Sequence, residues 1–107
     1  MSEHKSGTQY VREMCQTFRE VAETTKFDAV KEKLTSLADS LEPIATKLYF
    51  KTQKGTEDMA ELSKKFEEMK AKLAVCDEAG AESMCIPFYD KLEKIIKHVK
   101  TMKVRMT

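Results

Sequence analysis

The sequence predicts an all-α protein, an antiparallel up-down-up-down four-helix bundle. Three observations carry that prediction. Apolar residues recur at alternating steps of three and four along most of the chain, the spacing of one stripe on an α-helix. Glycine and proline are scarce, with three and two copies, and the stripes break only near 24–26, Gly55 and Gly80. No period-two run or Asn-Gly hairpin signal accompanies them.

The first stripe reads Val11, Met14, Phe18, Val21 and Thr25, and places helix one at about Thr8 to Thr24. Weak helix formers at Thr24–Thr25 end it. The second stripe is Phe27, Val30, Leu34, Leu37, Leu41, Ile44 and Leu48. Helix two is expected to start near Phe27 or Asp28, with Thr25 as its N-cap and the Asp28 carboxylate favoured by the helix dipole. The link is short, so helices one and two should be antiparallel neighbours. Pro43 interrupts helix two, but the register passes through it. The expectation is a continuous helix kinked at Pro43 and running to about Gln53, stopped by Gly55 behind Lys51 and Lys54.

Helix three is expected to open at Thr56–Glu57–Asp58, an N-cap followed by two acids, and to run to about Cys76. Its stripe is Met59, Leu62, Phe66, Met69, Leu73 and Cys76. The charges opposite, Glu61 with Lys64 and Lys65 and Glu68 with Lys72, form an ordinary solvated face. Residues Asp77 to Ser83 read as the least helical internal stretch. Pro87 is then expected in the first turn of helix four. The last stripe is Cys85, Phe88, Leu92, Ile95, Val99, Met102 and Met106. Leu37, Leu41, Phe66, Leu73, Leu92 and Ile95 should be buried. Residues 1–8 are polar and read as a flexible tail, and 9–107 as one bundle domain. The alternative architecture is a three-helix, spectrin-like bundle with a loosely attached first helix.

Composition excludes more function than it assigns. Charged residues make up 35% of the 107-residue chain, yet the net charge is +1, so no global field draws it to nucleic acid or membrane. The opening stretch MSEHKSGTQY has no apolar segment of the signal-peptide kind. Three cysteines, Cys15, Cys76 and Cys85, are an odd number and read as small buried hydrophobes. Reduced thiols and a cytoplasmic location are therefore expected. The only histidines, His4 and His98, lie in the tail and beside the polar face of helix four, which gives a nucleophile no base. Spacing supports neither a zinc site nor a Glu-x-x-His di-iron motif, and isolated glycines build no phosphate loop. No catalytic residue, metal or cofactor is expected.

One local asymmetry stands out. From Lys91 onward six cations face a single acid, Glu93, a local charge of +5 where the whole chain is +1. Cations at a helix C-terminus complement its dipole, which is the ordinary reading. The functional reading adds Met102 and Met106, which prolong the apolar stripe beyond the length of helix one. Lys94, Lys97, Lys100, Met102, Lys103, Arg105 and Met106 are thus the candidate partner-binding residues. The expected function is a non-enzymatic helical module binding another protein, acidic or helical, with homodimerisation open. The alternative is an amphipathic bundle that binds lipid or fatty acid, with anionic lipid as partner. Nucleic acid is disfavoured, since neither a helix-turn-helix signature nor an aromatic platform is present.

Overall fold

The computed structural model describes residues 6–101, and within them the protein is a four-helix bundle. Helix α1 spans Gly7–Thr24, α2 Asp28–Leu41, α3 Gln53–Leu73 and α4 Glu78–Thr101. Two short 3-10 turns, Glu42–Ile44 and Leu48–Lys51, connect α2 to α3. No strand occurs among the described residues.

Each helix buries one apolar stripe, and the four stripes meet in a single core. Phe18, Phe66 and Phe88 sit at its centre. The Phe18 ring stands edge-on to Phe66 at 4.8 Å between centroids, and Phe88 lies 5.5 Å from Phe66 and 6.0 Å from Phe18. Leu37, Leu41, Phe66, Leu73 and Leu92 are buried as the stripes predict. Ile95 is the exception: it is half-buried, and Ile96 takes the core position. A straight helix of 3.6 residues per turn drifts about 20° per heptad from a 3.5 repeat. By the last turns of α4 that drift turns Ile96 inward.

Helix α1 packs on α2 and α3, and α4 packs on the same two. At one end of the bundle the Gly7 N–H donates to Thr56 Oγ1 (3.1 Å) and Thr8 Oγ1 donates to the Ala45 carbonyl (2.6 Å). The same end joins Tyr49 to His98. At the other end Val21, Phe27 and Leu73 share one groove. Chain direction therefore alternates, and α1–α2 and α3–α4 are two antiparallel hairpins. They pack with α1 beside α3 and α2 beside α4, because residues 42–52 cross the end of the bundle diagonally. The alternative with a loose first helix is overturned: Val11 and Phe18 of α1 have no exposed surface. Nor does a flexible tail extend to residue 8. Ser6 Oγ caps α1 by accepting from Gln9 N–H (3.1 Å), and Gly7 is buried.

Three expected boundaries are corrected. Helix two does not continue through Pro43. Proline offers no N–H to the carbonyl four residues back, so α2 ends at Leu41 and Pro43 sits in the first turn of a 3-10 segment, where the missing donor costs little. Lys47 is extended, with ψ 152°, and resets the phase so that Phe50 is buried and Leu48 is turned out. Helix three starts at Gln53 with Thr52, not Thr56, as its cap; Thr52 Oγ1 accepts from Gly55 N–H (3.0 Å). Gly55 thus lies inside a helix start, not at a stop. Helix four begins at Glu78, nine residues before Pro87. Asp77 Oδ1 accepts from Gly80 N–H (2.8 Å) and anchors that start. Pro87 lies on the exposed side of α4, where water can satisfy the carbonyl it leaves without a donor. Thr25, expected to cap α2, instead ends α1; its hydroxyl accepts from Phe27 N–H (3.2 Å), and Phe27 holds the N-cap position of α2.

Candidate basic docking face

Of the candidate partner residues, Lys94, Lys97 and Lys100 fall within the described chain; Met102, Lys103, Arg105 and Met106 lie outside it. Helix α4 turns Leu92, Ile96 and Val99 into the core, which leaves the three lysines exposed on its outer surface. Their surroundings differ from those of the charges just before them. Lys91 Nζ lies 3.2 Å from Glu61, and Glu93 lies 3.2 Å from Lys33. Lys94, Lys97 and Lys100 make no ion pair among the described residues. Lys97 and Lys100 border a groove between α2 and α4 of about 360 Å³, with Ser36, Ser40 and Thr101 on its rim and Leu37 and Ile96 at its floor. The one carboxylate lining that groove, Glu93, is already held by Lys33, while Lys100 also lines a neighbouring groove with Asp28, Glu32 and Asp39.

The fold brings a second cationic stretch to the same end. Residues 43–56 contain Lys47, Lys51 and Lys54 and no acid. Their link to α4 is the Tyr49 ring, which packs edge-on against His98 at 5.9 Å. His98 therefore serves as a packing surface for the Tyr49 ring. The Tyr49 hydroxyl donates to Asp58. Burial first, and then that carboxylate, push the Tyr49 pKa upward, so its ring stays neutral and fixed. Lys47, Leu48 and Lys51 are exposed. Their part in the basic end is invisible at the level of periodicity. The heptad count assigns Leu48 to the core, and only the break at Pro43 and Lys47 turns it outward.

The interior offers little chemistry. Apart from two thiols and the Tyr89 hydroxyl, no polar or charged side chain is buried among the described residues, and they contain no grouping of three or more His, Cys, Asp or Glu able to hold a metal. The methionines Met14, Met59 and Met69 are core filling. Met84 is half-buried beside Met69 and Phe88 in a second groove between α3 and α4. The Tyr89 hydroxyl is buried beside the Cys85 thiol one turn earlier, which is the polar group it meets there.

The thiols are free, with Cys15 and Cys85 buried and Cys76 half-buried in the α3–α4 link. Burial pushes the Cys15 thiol up to about 12, helped by the charge of Glu42, and burial likewise raises Cys85. A thiol reagent at neutral pH should therefore modify Cys76 first, and Cys15 and Cys85 only as the bundle opens. Mass spectrometry of partially labelled protein would read this order, and equal rates for all three would overturn it. An unfolded chain ionises such a thiol near 9.0, well below the folded Cys15. Between those values the unfolded state holds fewer protons, so stability should fall as pH rises through that window.

The chain matches no protein-family model, no curated protein and no solved structure.

Proposed function

We propose that this protein is a non-enzymatic interaction module that binds an acidic segment of a partner protein through the basic face of α4. The observation behind this reading is the change in ion pairing along one helix. Lys91 and Glu93 are neutralised within the bundle, and the three lysines that follow have no counter-ion among the described residues. Three exposed cations at three-residue spacing, two of them beside a groove with a serine and threonine rim, suit carboxylates presented by another chain. Electrostatic matching of this kind favours rapid encounter and choice of partner more than raw affinity. The apolar stripes are already used by the helices on one another, which favours docking on a folded surface over opening of the bundle. A core centred on three packed phenylalanines gives the fatty-acid alternative no support. No described helix is long and apolar enough to cross a membrane; a cytoplasmic setting with reduced thiols is part of the proposal.

The test is affinity capture on the immobilised full chain, quantified by mass spectrometry. The triple substitution Lys94→Gln, Lys97→Gln and Lys100→Gln should lower recovery of a specific acidic protein by about tenfold or more, since each exposed pair contributes up to ~1 kcal/mol. Lys64→Gln with Lys65→Gln, on the outer face of α3, should leave recovery unchanged. Equal capture by all three proteins would remove the proposal.

A further inference from the structure

Residues 46–51 form a tip at one end of the bundle. Ile44 and Ala45 are buried just before it, and Phe50 is its buried anchor. Between Ala45 and Phe50, the residues Thr46, Lys47 and Leu48 face solvent, and Leu48 is 59% exposed. The mount is rigid. Thr8 Oγ1 donates to the Ala45 carbonyl, Thr52 Oγ1 donates to the Tyr49 carbonyl (2.7 Å), and the Tyr49 hydroxyl donates to Asp58. Leu48 is therefore held outward by well-anchored neighbours. A lone exposed leucine means nothing by itself. Its setting is what counts: Lys47 and Lys51 flank it, Lys54 follows in the first turn of α3, and no acid occurs from 43 to 56.

The nearest acids are engaged within the bundle. Glu42 pairs with Arg19 at 2.7 Å, Glu57 accepts from Gln53 at 3.1 Å, and Asp58 receives Tyr49 and lies 3.8 Å from Lys54. The tip meets α4 at its end through the Tyr49 ring against His98. An exposed apolar side chain with exposed lysines one residue before it and three after it suits a soft planar anionic surface. The leucine enters the headgroup boundary and the lysines keep their charges at the phosphates.

We propose that this tip, Lys47, Leu48 and Lys51, docks the folded bundle end-on against a membrane leaflet containing anionic phospholipid. This goes beyond the protein-binding reading and uses other residues. End-on attachment leaves the α2–α4 groove and the outer face of α4 open to a partner.

The experiment is co-sedimentation of the full chain with phosphatidylcholine vesicles that do or do not contain phosphatidylserine. The protein should pellet with the anionic vesicles only, and less so as salt is raised, because screening shortens the reach of the lysines. Each lysine near an anionic surface is worth about fivefold in partitioning, so Lys47→Gln with Lys51→Gln should lower binding about 25-fold. Leu48→Ser should lower it about fivefold, as the apolar contact is lost. The chain contains no tryptophan, so Leu48→Trp gives a reporter at this one site. Its emission should shift to the blue on anionic vesicles and remain solvent-like with phosphatidylcholine alone. The triple change at Lys94, Lys97 and Lys100, which tests the protein partner, should affect vesicle binding less than the tip changes. No binding to anionic vesicles at low salt would overturn the proposal. So would wild-type binding by the tip variants, or tip variants that lose only a soluble protein partner.

Discussion

Phe66→Ala is expected to cost about 3–5 kcal/mol of unfolding free energy, the range for emptying an aromatic site in a packed core. Phe66 is 1% exposed and makes the two shortest ring contacts of the trio, edge-on to Phe18 at 4.8 Å and tilted on Phe88 at 5.5 Å. Removing it deletes the buried area of one ring and two aromatic contacts, each contributing about 0.5–1.5 kcal/mol beyond area alone. The void would lie where α1, α3 and α4 meet, and the bundle cannot close it without moving three helices. A domain of this size has only about 5–15 kcal/mol in total, so the variant should retain helical circular dichroism but unfold at much lower urea. A loss below about 0.5 kcal/mol, the level of a surface change, would show that the aromatic trio is not the centre of the core.

The position of Phe66 was legible from the sequence, and so was most of the bundle. A stripe at steps of three and four can be buried in only one way, and Val11, Leu34, Leu62 and Leu92 are all at or near zero exposure. What could not be read were the places where local backbone chemistry overrides the count. Leu48 satisfies the heptad arithmetic, but Pro43 ends α2 and the extended Lys47 turns the chain, so Phe50 takes the core and Leu48 the surface. Pro87 misled in the opposite sense: the Asp77 cap starts α4 before it, and an exposed proline within the helix is tolerated. The candidate site shows the same division. The cationic run on α4 is visible in the linear sequence. Its neighbour at Lys47 and Lys51 is not, because only the diagonal crossing of residues 42–52 brings Tyr49 onto His98 at the end of α4.

Gly55→Ala is expected to destabilise the protein by about 2–4 kcal/mol, through overpacking against backbone. On helix propensity alone the change should help by about 0.5–1 kcal/mol, since alanine loses less entropy than glycine. The backbone conformation does not oppose it either, because no glycine here has a positive φ. Space decides the sign. A Cβ on Gly55 would stand 1.9 Å from the Tyr49 carbonyl oxygen and 2.8 Å from its carbon. That carbonyl cannot swing aside. It accepts from Thr52 N–H at 3.2 Å and from Thr52 Oγ1 at 2.7 Å, and the next residue, Phe50, is fully buried. Gly7→Ala should behave alike, with its Cβ 2.2 Å from the Phe50 oxygen. Gly80 supplies the control: there the closest atom is the Asp77 Oδ1 side chain at 2.9 Å, followed by Cys76 Cβ at 3.6 Å. A carboxylate can shift slightly and still cap α4 where a backbone carbonyl cannot give, so Gly80→Ala should be near neutral. Thermal unfolding of the three variants side by side measures the difference. If Gly55→Ala melts with Gly80→Ala, the helix starts do not press on the 49–50 carbonyls, and the rigid mount assigned to the tip at Leu48 goes with them. If it melts well below, the two glycines are what let α1 and α3 close around the turn that carries Lys47, Leu48 and Lys51.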